Sequence, residues 1–420
     1  MPWHHVAAVL GNAEDQFDQM KNRLWRRLGW QRPYQIIPYI GYGSRSQLYL
    51  RGRVLIDKGI QSASDEDTLW DDLVNMYRRL ESDVVRGGRV VVSCSQHSVT
   101  NNQHGLADEQ VALFDAQEVV TDDQGYFEIW LDLQRPLPPN TYQQQIELEL
   151  VEPRLDNQPV TATGLVQIPP QTAQFGVISD LDDTVLKAHA TQLLKMARTV
   201  FMSSARTRLP FPGVAAFYRA LEEGVAIAPN SGQAATDDVA PEWNHNALFY
   251  LSSSPWNLYD LIVDVFRLQN IPLAPIFLRD WGLAPDALPI GHRRHKLAVI
   301  HQLFDFYPDL PFILIGDCGQ EDPEIYHQVV HDHPDRILAV YIRSVSPGDR
   351  RRASVQKLAE EVAAAGSTLI LTSSTLAMAQ HAISQGWLAS EALAAIRAEK
   401  LRDEAPATPL EQLLDEESEA

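Results

Sequence analysis

The chain has 420 residues, 45% of them hydrophobic and 21% charged, the make-up of an ordinary soluble globular protein with room for two or three domains. A formal net charge of −20 argues against broad nucleic-acid binding, which asks for a basic face, and is compatible only with a local basic patch. Cys94 and Cys318 stand at unrelated positions, so neither a disulfide framework nor a thiolate metal site is expected.

Residues 1–34 form an N-terminal segment in which 14–32 reads as an amphipathic helix, with Phe17, Met20, Leu24 and Leu28 at helical spacing. Lys21, Arg23, Arg26, Arg27 and Arg32 make it basic, and Trp25 and Trp30 are interleaved. That pattern suits a membrane interface; a helix packed on the next domain is the preferred alternative. Met1-Pro2-Trp3-His4-His5 lacks the order of a secretory signal, and no apolar run reaches membrane-spanning length. The expected location is the cytoplasm, with peripheral contact at membranes left open.

Residues 35–170 are predicted to be an antiparallel β-sandwich domain. Ile146, Leu148 and Leu150 alternate with Glu147 and Glu149, the period-two pattern of a half-buried strand. Arg89 to Ser93 and Tyr126 to Leu133 are further strands, the second entered by the turn Asp122-Asp123-Gln124-Gly125. Residues 66–86 read as a helix inserted between strands, and Pro169-Pro170 marks the boundary.

Residues 171–400 alternate strands (175–179, 247–252, 312–316, 337–342, 368–372) with helices (213–222, 256–269, 293–305, 322–331), which predicts a mostly parallel sheet covered on both faces. Residues 229–246 read as a polar loop, and 401–420 as an acidic, disordered tail.

Four chemistry-bearing motifs follow strands or open helices, where ligands of parallel sheets bind. Asp180-Leu181-Asp182-Asp183-Thr184 follows the apolar run Phe175 to Ile178. Close carboxylates resist joint ionisation unless a cation compensates them, so such a pair suits phosphoryl chemistry. Leu248 to Leu251 leads into Ser252-Ser253-Ser254-Pro255, a hydroxyl at a helix start that suits phosphate. Lys296 opens a helix, and Phe312-Ile313-Leu314-Ile315-Gly316-Asp317 ends on an acid, with Asp322 five residues later. Each alone has a plainer reading: an Asp-rich turn, a Ser N-cap, a solvated lysine, a helix cap.

Together they resemble the haloacid dehalogenase superfamily of aspartate-nucleophile phosphotransferases. FGVISDLDDTVLKAHAT at 175–191, YLSSSPWNLY at 250–259, FLRDWGL at 277–283, FDFYPD at 304–309 and FILIGDCGQEDPEIY at 312–326 narrow the resemblance. It becomes that of the catalytic domain of the actin-patch phosphatidate phosphatase family, distantly lipin-like, over roughly 171–350. Cys318 stands where that family is expected to have Ser. The resemblance implies a haloacid-dehalogenase-like Rossmannoid fold with a small cap, and Asp180 as nucleophile. Asp182 would be the acid and base, with Thr184, Ser252, Ser253 and Lys296 around the phosphate. It further implies Mg2+ held by Asp180, the Asp182 backbone carbonyl and Asp317, with Asp322 in support. Asp183 reads as a loop or cap residue, and His189, His292 and His295 as substrate contacts or surface groups.

Only 187–211 separates the first motif from the next helix, so the site should be open, as suits a large or membrane-borne ester. Leu193, Leu194, Ala197, Val200 and Phe201 form an apolar stripe there that fits a lipid surface or the catalytic core equally. The expected reaction is Mg-dependent hydrolysis of phosphatidate to diacylglycerol. The alternatives are a phosphatase for phosphoproteins or soluble phosphate esters, and a catalytically silent adaptor recruited through the N-terminal sandwich. The intact Asp180, Asp182 and Asp317 argue against the adaptor.

Overall fold

The computed structural model describes residues 34–56, 84–102, 105–154, 159–185, 210–225, 245–279, 291–345 and 348–405. The helix expected at 14–32 and the stripe at 193–201 lie outside them, as does most of the helix expected at 66–86. Val84, inside that last range, forms an antiparallel bridge to Leu55 instead of a helical turn.

Ten strands occupy the first half: β1 (Tyr34–Pro38), β2 (Gly41–Gly43), β3 (Gln47–Ile56), β4 (Arg89–Ser93), β5 (Ser95–Asn102), β6 (Gly105–Ala112), β7 (Gln117–Val120), β8 (Tyr126–Asp132), β9 (Gln143–Glu152) and β10 (Val160–Gln167). Eight join one sheet in the order β1-β3-β2-β10-β9-β4-β7, with β8 also on β3, while β5 and β6 pair separately. Ile146, Leu148 and Leu150 of β9 are buried as their alternation requires, and they share a cluster with Leu48, Leu50 and Val54 of β3. Strands β2 and β10 lie between β3 and β9 in that sheet. An N-terminal sheet thus stands as expected, but not an all-antiparallel pair of sheets. The ladder is continuous, and β2 pairs with β10 in parallel. The Asp122 turn forms as read: its Oδ1 accepts the N–H groups of Gln124 and Tyr126 at 2.8 and 2.9 Å, and Gly125 takes φ 78°.

The second half carries β11 (Gly176–Asp180), α1 (Val214–Glu223), β12 (Ala247–Pro255), α2 (Tyr259–Leu268), β13 (Ile276–Arg279), α3 (His292–Phe306), β14 (Phe312–Asp317), α4 (Asp322–Asp332), β15 (Ile337–Arg343), α5 (Asp349–Ala364), β16 (Leu369–Thr372), α6 (Thr375–Ser384) and α7 (Ala392–Glu404). The six strands are parallel in the order β13-β12-β11-β14-β15-β16. Successive residues of β11 point to opposite faces: Val177 packs with α1, α2, α6 and α7, and Ile178 with α3, α4 and α5. The chain steps outward one way from β11 and then returns to its other side with β14. Loops after these two strands therefore diverge and leave a crevice at their carboxyl ends.

Two sequence readings need correction. Helix α2 begins at Tyr259 rather than 256, because β12 runs through Pro255 and Trp256–Leu258 form a 3-10 turn. Helix α7 extends to Glu404, into the segment expected to be a disordered tail. Its acids cap α1: Asp403 accepts the Gly213 N–H at 2.8 Å, and Glu399 accepts the Ala216 N–H at 2.6 Å.

Aromatic residues join the two sheets. Tyr42 of β2 is buried among Phe249, Phe277, Phe306 and Tyr307, and its hydroxyl accepts a hydrogen bond from Gln302 of α3 at 2.6 Å. Tyr39 stacks on Trp256 with centroids 5.3 Å apart, and Tyr307 donates to the Gly43 carbonyl at 3.0 Å.

Candidate active site

Asp180 ends β11 and Asp317 ends β14, and these adjacent parallel strands deliver both carboxylates to one edge of the sheet. Asp322 begins α4 five residues later and turns back toward them. One carboxylate oxygen from each of Asp180, Asp317 and Asp322 lies within 4.8 Å of the other two, and all three residues are buried. The close return of Asp322 requires Gly316, where a Cβ would stand 2.5 Å from Asp322 Oδ2. That same Oδ2 accepts the Asp317 N–H at 3.2 Å.

Lys296, fully buried in the first turns of α3, reaches into the acids. Its Nζ lies 2.6 Å from Asp180 Oδ1 and 2.5 Å from Asp322 Oδ1. Asp317 Oδ1 accepts the N–H groups of Gly319 at 2.5 Å and Gln320 at 3.1 Å. Asp317 Oδ2 is buried and takes no hydrogen bond among the described residues. Three carboxylates thus face one ammonium.

The electrostatics follow from that imbalance. Burial, reinforced by Asp322, Asp182 and Asp317, holds Asp180 well above the usual carboxylate range despite the opposing pull of Lys296. Asp317 is pushed up to about 7, by burial first and by Asp322 next, with Gly319 and Lys296 pulling back. Burial alone would lower Lys296, but the attraction of Asp180 and Asp322 wins and moves it upward. An all-oxygen cluster too rich in negative charge to ionise unaided, with one buried oxygen lacking a donor, fits a hard divalent cation. Asp180, Asp317 and Asp322 are the side chains placed to hold it.

Asp182 sits past the strand end, beside Asp183 at φ 58°, and is tied to β12: Ser252 Oγ donates to its Oδ2 at 2.8 Å. The Ser254 N–H in turn donates to Ser252 Oγ at 3.0 Å. Ser252 therefore acts from the end of a strand, and the expected helix-start site at this position is corrected. Thr184 Oγ1 lies 3.5 Å from Asp180 Oδ2. Ser253 is hydrogen-bonded to His292 Nδ1, whose ring is pushed down to about 4 by burial and by nearby Lys296.

Of two further features, the first was read only as a substrate contact or surface group, and the second was not read at all. His292, one helical turn before Lys296, faces the same crevice and not open solvent. Arg343 is buried at the end of β15 and donates through Nε to the Thr184 carbonyl at 3.0 Å. An arginine closing an otherwise apolar strand was the available signal for the second.

Residues 175–344 match the family described as phosphatidate phosphatase APP1, catalytic domain. Over this segment the chain is similar to the actin-patch phosphatidate phosphatase family. Phosphatidate phosphatase APP1 of Saccharomyces cerevisiae is 28% identical over 174 residues, which cover 41% of this chain and 26% of that protein. An uncharacterized protein of Schizosaccharomyces pombe is 26% identical over 175 residues, covering 41% and 25%. The chain thus matches about a quarter of the length of these curated relatives. The PilB minor pilin of Streptococcus sanguinis overlays 79% of this chain and 89% of its own at 8% identity and a TM-score of 0.22, too low to bear on the fold.

Proposed function

We propose that the crevice hydrolyses phosphomonoesters with a divalent cation, Mg2+ being the best fit, and that its substrate is phosphatidate, cleaved to diacylglycerol and phosphate. The observation that carries this reading is the convergence of Asp180, Asp317, Asp322 and Lys296 from separate elements. The family match of 175–344 supports the lipid substrate. We read the parallel sheet as haloacid-dehalogenase-like, on the strand order and the acids at the ends of β11 and β14. We likewise read 35–170 and 171–400 as separate domains.

In this mechanism a carboxylate oxygen of Asp180 attacks phosphorus, and the bond from phosphorus to the alcohol oxygen breaks as the aspartyl-phosphate forms. Asp182 gives its proton to the departing alcohol and then takes one from the water that hydrolyses the aspartyl-phosphate. Ser252 keeps the Asp182 carboxyl aimed, and Lys296 offsets charge on Asp180. A cation held by Asp180, Asp317 and Asp322 would draw charge from the phosphoryl oxygens. Among the described residues no helix is long and apolar enough to cross a membrane, so the lipid would be met by peripheral contact. The cytoplasmic face of a membrane is the compartment that accompanies this reading.

Phosphate release from vesicle-borne phosphatidate and from a panel of soluble esters, with Mg2+ and with chelator, tests it. Phosphatidate should be preferred, and Asp180→Asn or Asp182→Asn should reduce release by about 10²- to 10⁴-fold. Equal turnover of soluble and lipid esters would reject the lipid assignment, and undiminished release by either variant would reject the mechanism.

A further inference from the structure

Arg343 is 1% exposed and, among the described residues, meets no carboxylate. Its Nε donates to the Thr184 carbonyl at 3.0 Å, Nη1 to the Ser373 carbonyl at 3.5 Å and Nη2 to Thr375 Oγ1 at 3.3 Å. The guanidinium lies 4.2 Å from the centre of the Phe211 ring, and the Phe211 N–H donates to the Val185 carbonyl at 3.2 Å. On the other side, the backbone carbonyl of Arg343 accepts the Cys318 N–H at 3.0 Å, next to Asp317.

A buried cation without an anionic partner is strongly disfavoured, and an apolar side chain of similar volume would fill the place more readily. What only arginine supplies is a rigid fork of donors. The loop that receives it needs outside support, because Asp183 stands at φ 58°, a region that a β-carbon disfavours. We propose that Arg343 is a positioning residue for phosphoryl transfer. Its guanidinium fixes the Thr184 carbonyl, and with it the Asp180–Thr184 loop, while its own carbonyl fixes the Asp317 loop. One residue thereby keeps in register the two acid-bearing loops on which the proposed hydrolysis rests. Lysine can substitute only in part, since a single ammonium cannot serve Thr184, Ser373 and Thr375 together.

The test uses the full-length chain with Arg343→Met and Arg343→Lys, read in two ways. Amide exchange is followed at Val185, whose N–H donates to the Leu181 carbonyl, and at Gly319, without cation or substrate. Steady-state kinetics are measured on a soluble aryl phosphate and on phosphatidate vesicles. Val185 should exchange faster in both variants while Gly319 keeps its protection. For Arg343→Met kcat should fall about a hundredfold with KM little changed, and Arg343→Lys should recover only part of the loss. Unaltered exchange at Val185 would overturn the proposal, as would a rise in KM at unchanged kcat, which would mean direct substrate binding. Should neither variant fold, Thr375→Val, which removes one anchor of the guanidinium, decides by the same exchange signal. Wild-type protein inert toward every ester would defeat the proposed function, and the exchange result would still settle the positioning.

Discussion

Asp317 is the residue whose charge state most directly reports on the crevice. Its folded-state pKa, pushed up to about 7, lies above the ordinary carboxylate value because burial and Asp322 penalise the anion. The cation-free folded protein therefore holds a proton that the unfolded chain releases. The resulting stability is fully present below about pH 4 and is lost as pH rises through about 7. A cation needs the ionised form, so Mg2+ should raise the melting temperature more at about pH 8 than at about pH 5. Melting curves with Mg2+ and with chelator check this, and the reverse order would remove Asp317 from the ligand set. Ser252→Ala should leave Asp182 misaimed but present, lowering kcat by about tenfold, far less than Asp182→Asn. Asp180 and Asp317 were legible in the sequence because each ends an apolar run. Arg343 was not, since its partners are backbone carbonyls and a threonine brought together only by the fold.

Strands β11, β14 and β15 were legible to within a residue or two, because strands buried on both faces read as continuous apolar runs. Strand β13 was missed: four residues at the sheet edge carry too short a pattern. Ser252-Ser253-Ser254-Pro255 has the local signature of a helix start, yet β12 continues through it because Pro255 pairs with Arg279 of β13. Tertiary pairing there overrode a correct local signal. The junction between β14 and α4 gives a sharp test. In Gly316→Ala the new Cβ would meet Asp322 Oδ2 at 2.5 Å and both Asp322 Cβ and Tyr326 Cε2 at 2.8 Å. The strain should lower stability by about 1–3 kcal/mol. Displacement of Asp322 should also weaken cation binding, read by calorimetric titration with Mg2+, whereas unchanged binding would show that Asp322 tolerates the shift.

The two sheets were legible separately but their union was not, since single aromatic residues such as Tyr39 and Tyr42 carry no periodic signal. Tyr42 contacts four aromatic residues of the second half and joins α3 through Gln302, the same helix that presents Lys296. Tyr42→Ala should cost about 3–5 kcal/mol, measured by urea denaturation, if the cavity stays open. A loss under about 1 kcal/mol would mean that the halves barely depend on one another. The end of α7 was misjudged for a related reason: Asp403, in the segment read as a tail, finds its partner only at the amino end of α1.

Excising the second half as a minimal catalytic fragment would therefore peel away the cover over Phe249, Phe277, Phe306 and Tyr307, leaving a sticky greasy scar. Such a fragment should self-associate on purification, and a cut placed ahead of β1 would spare it that fate.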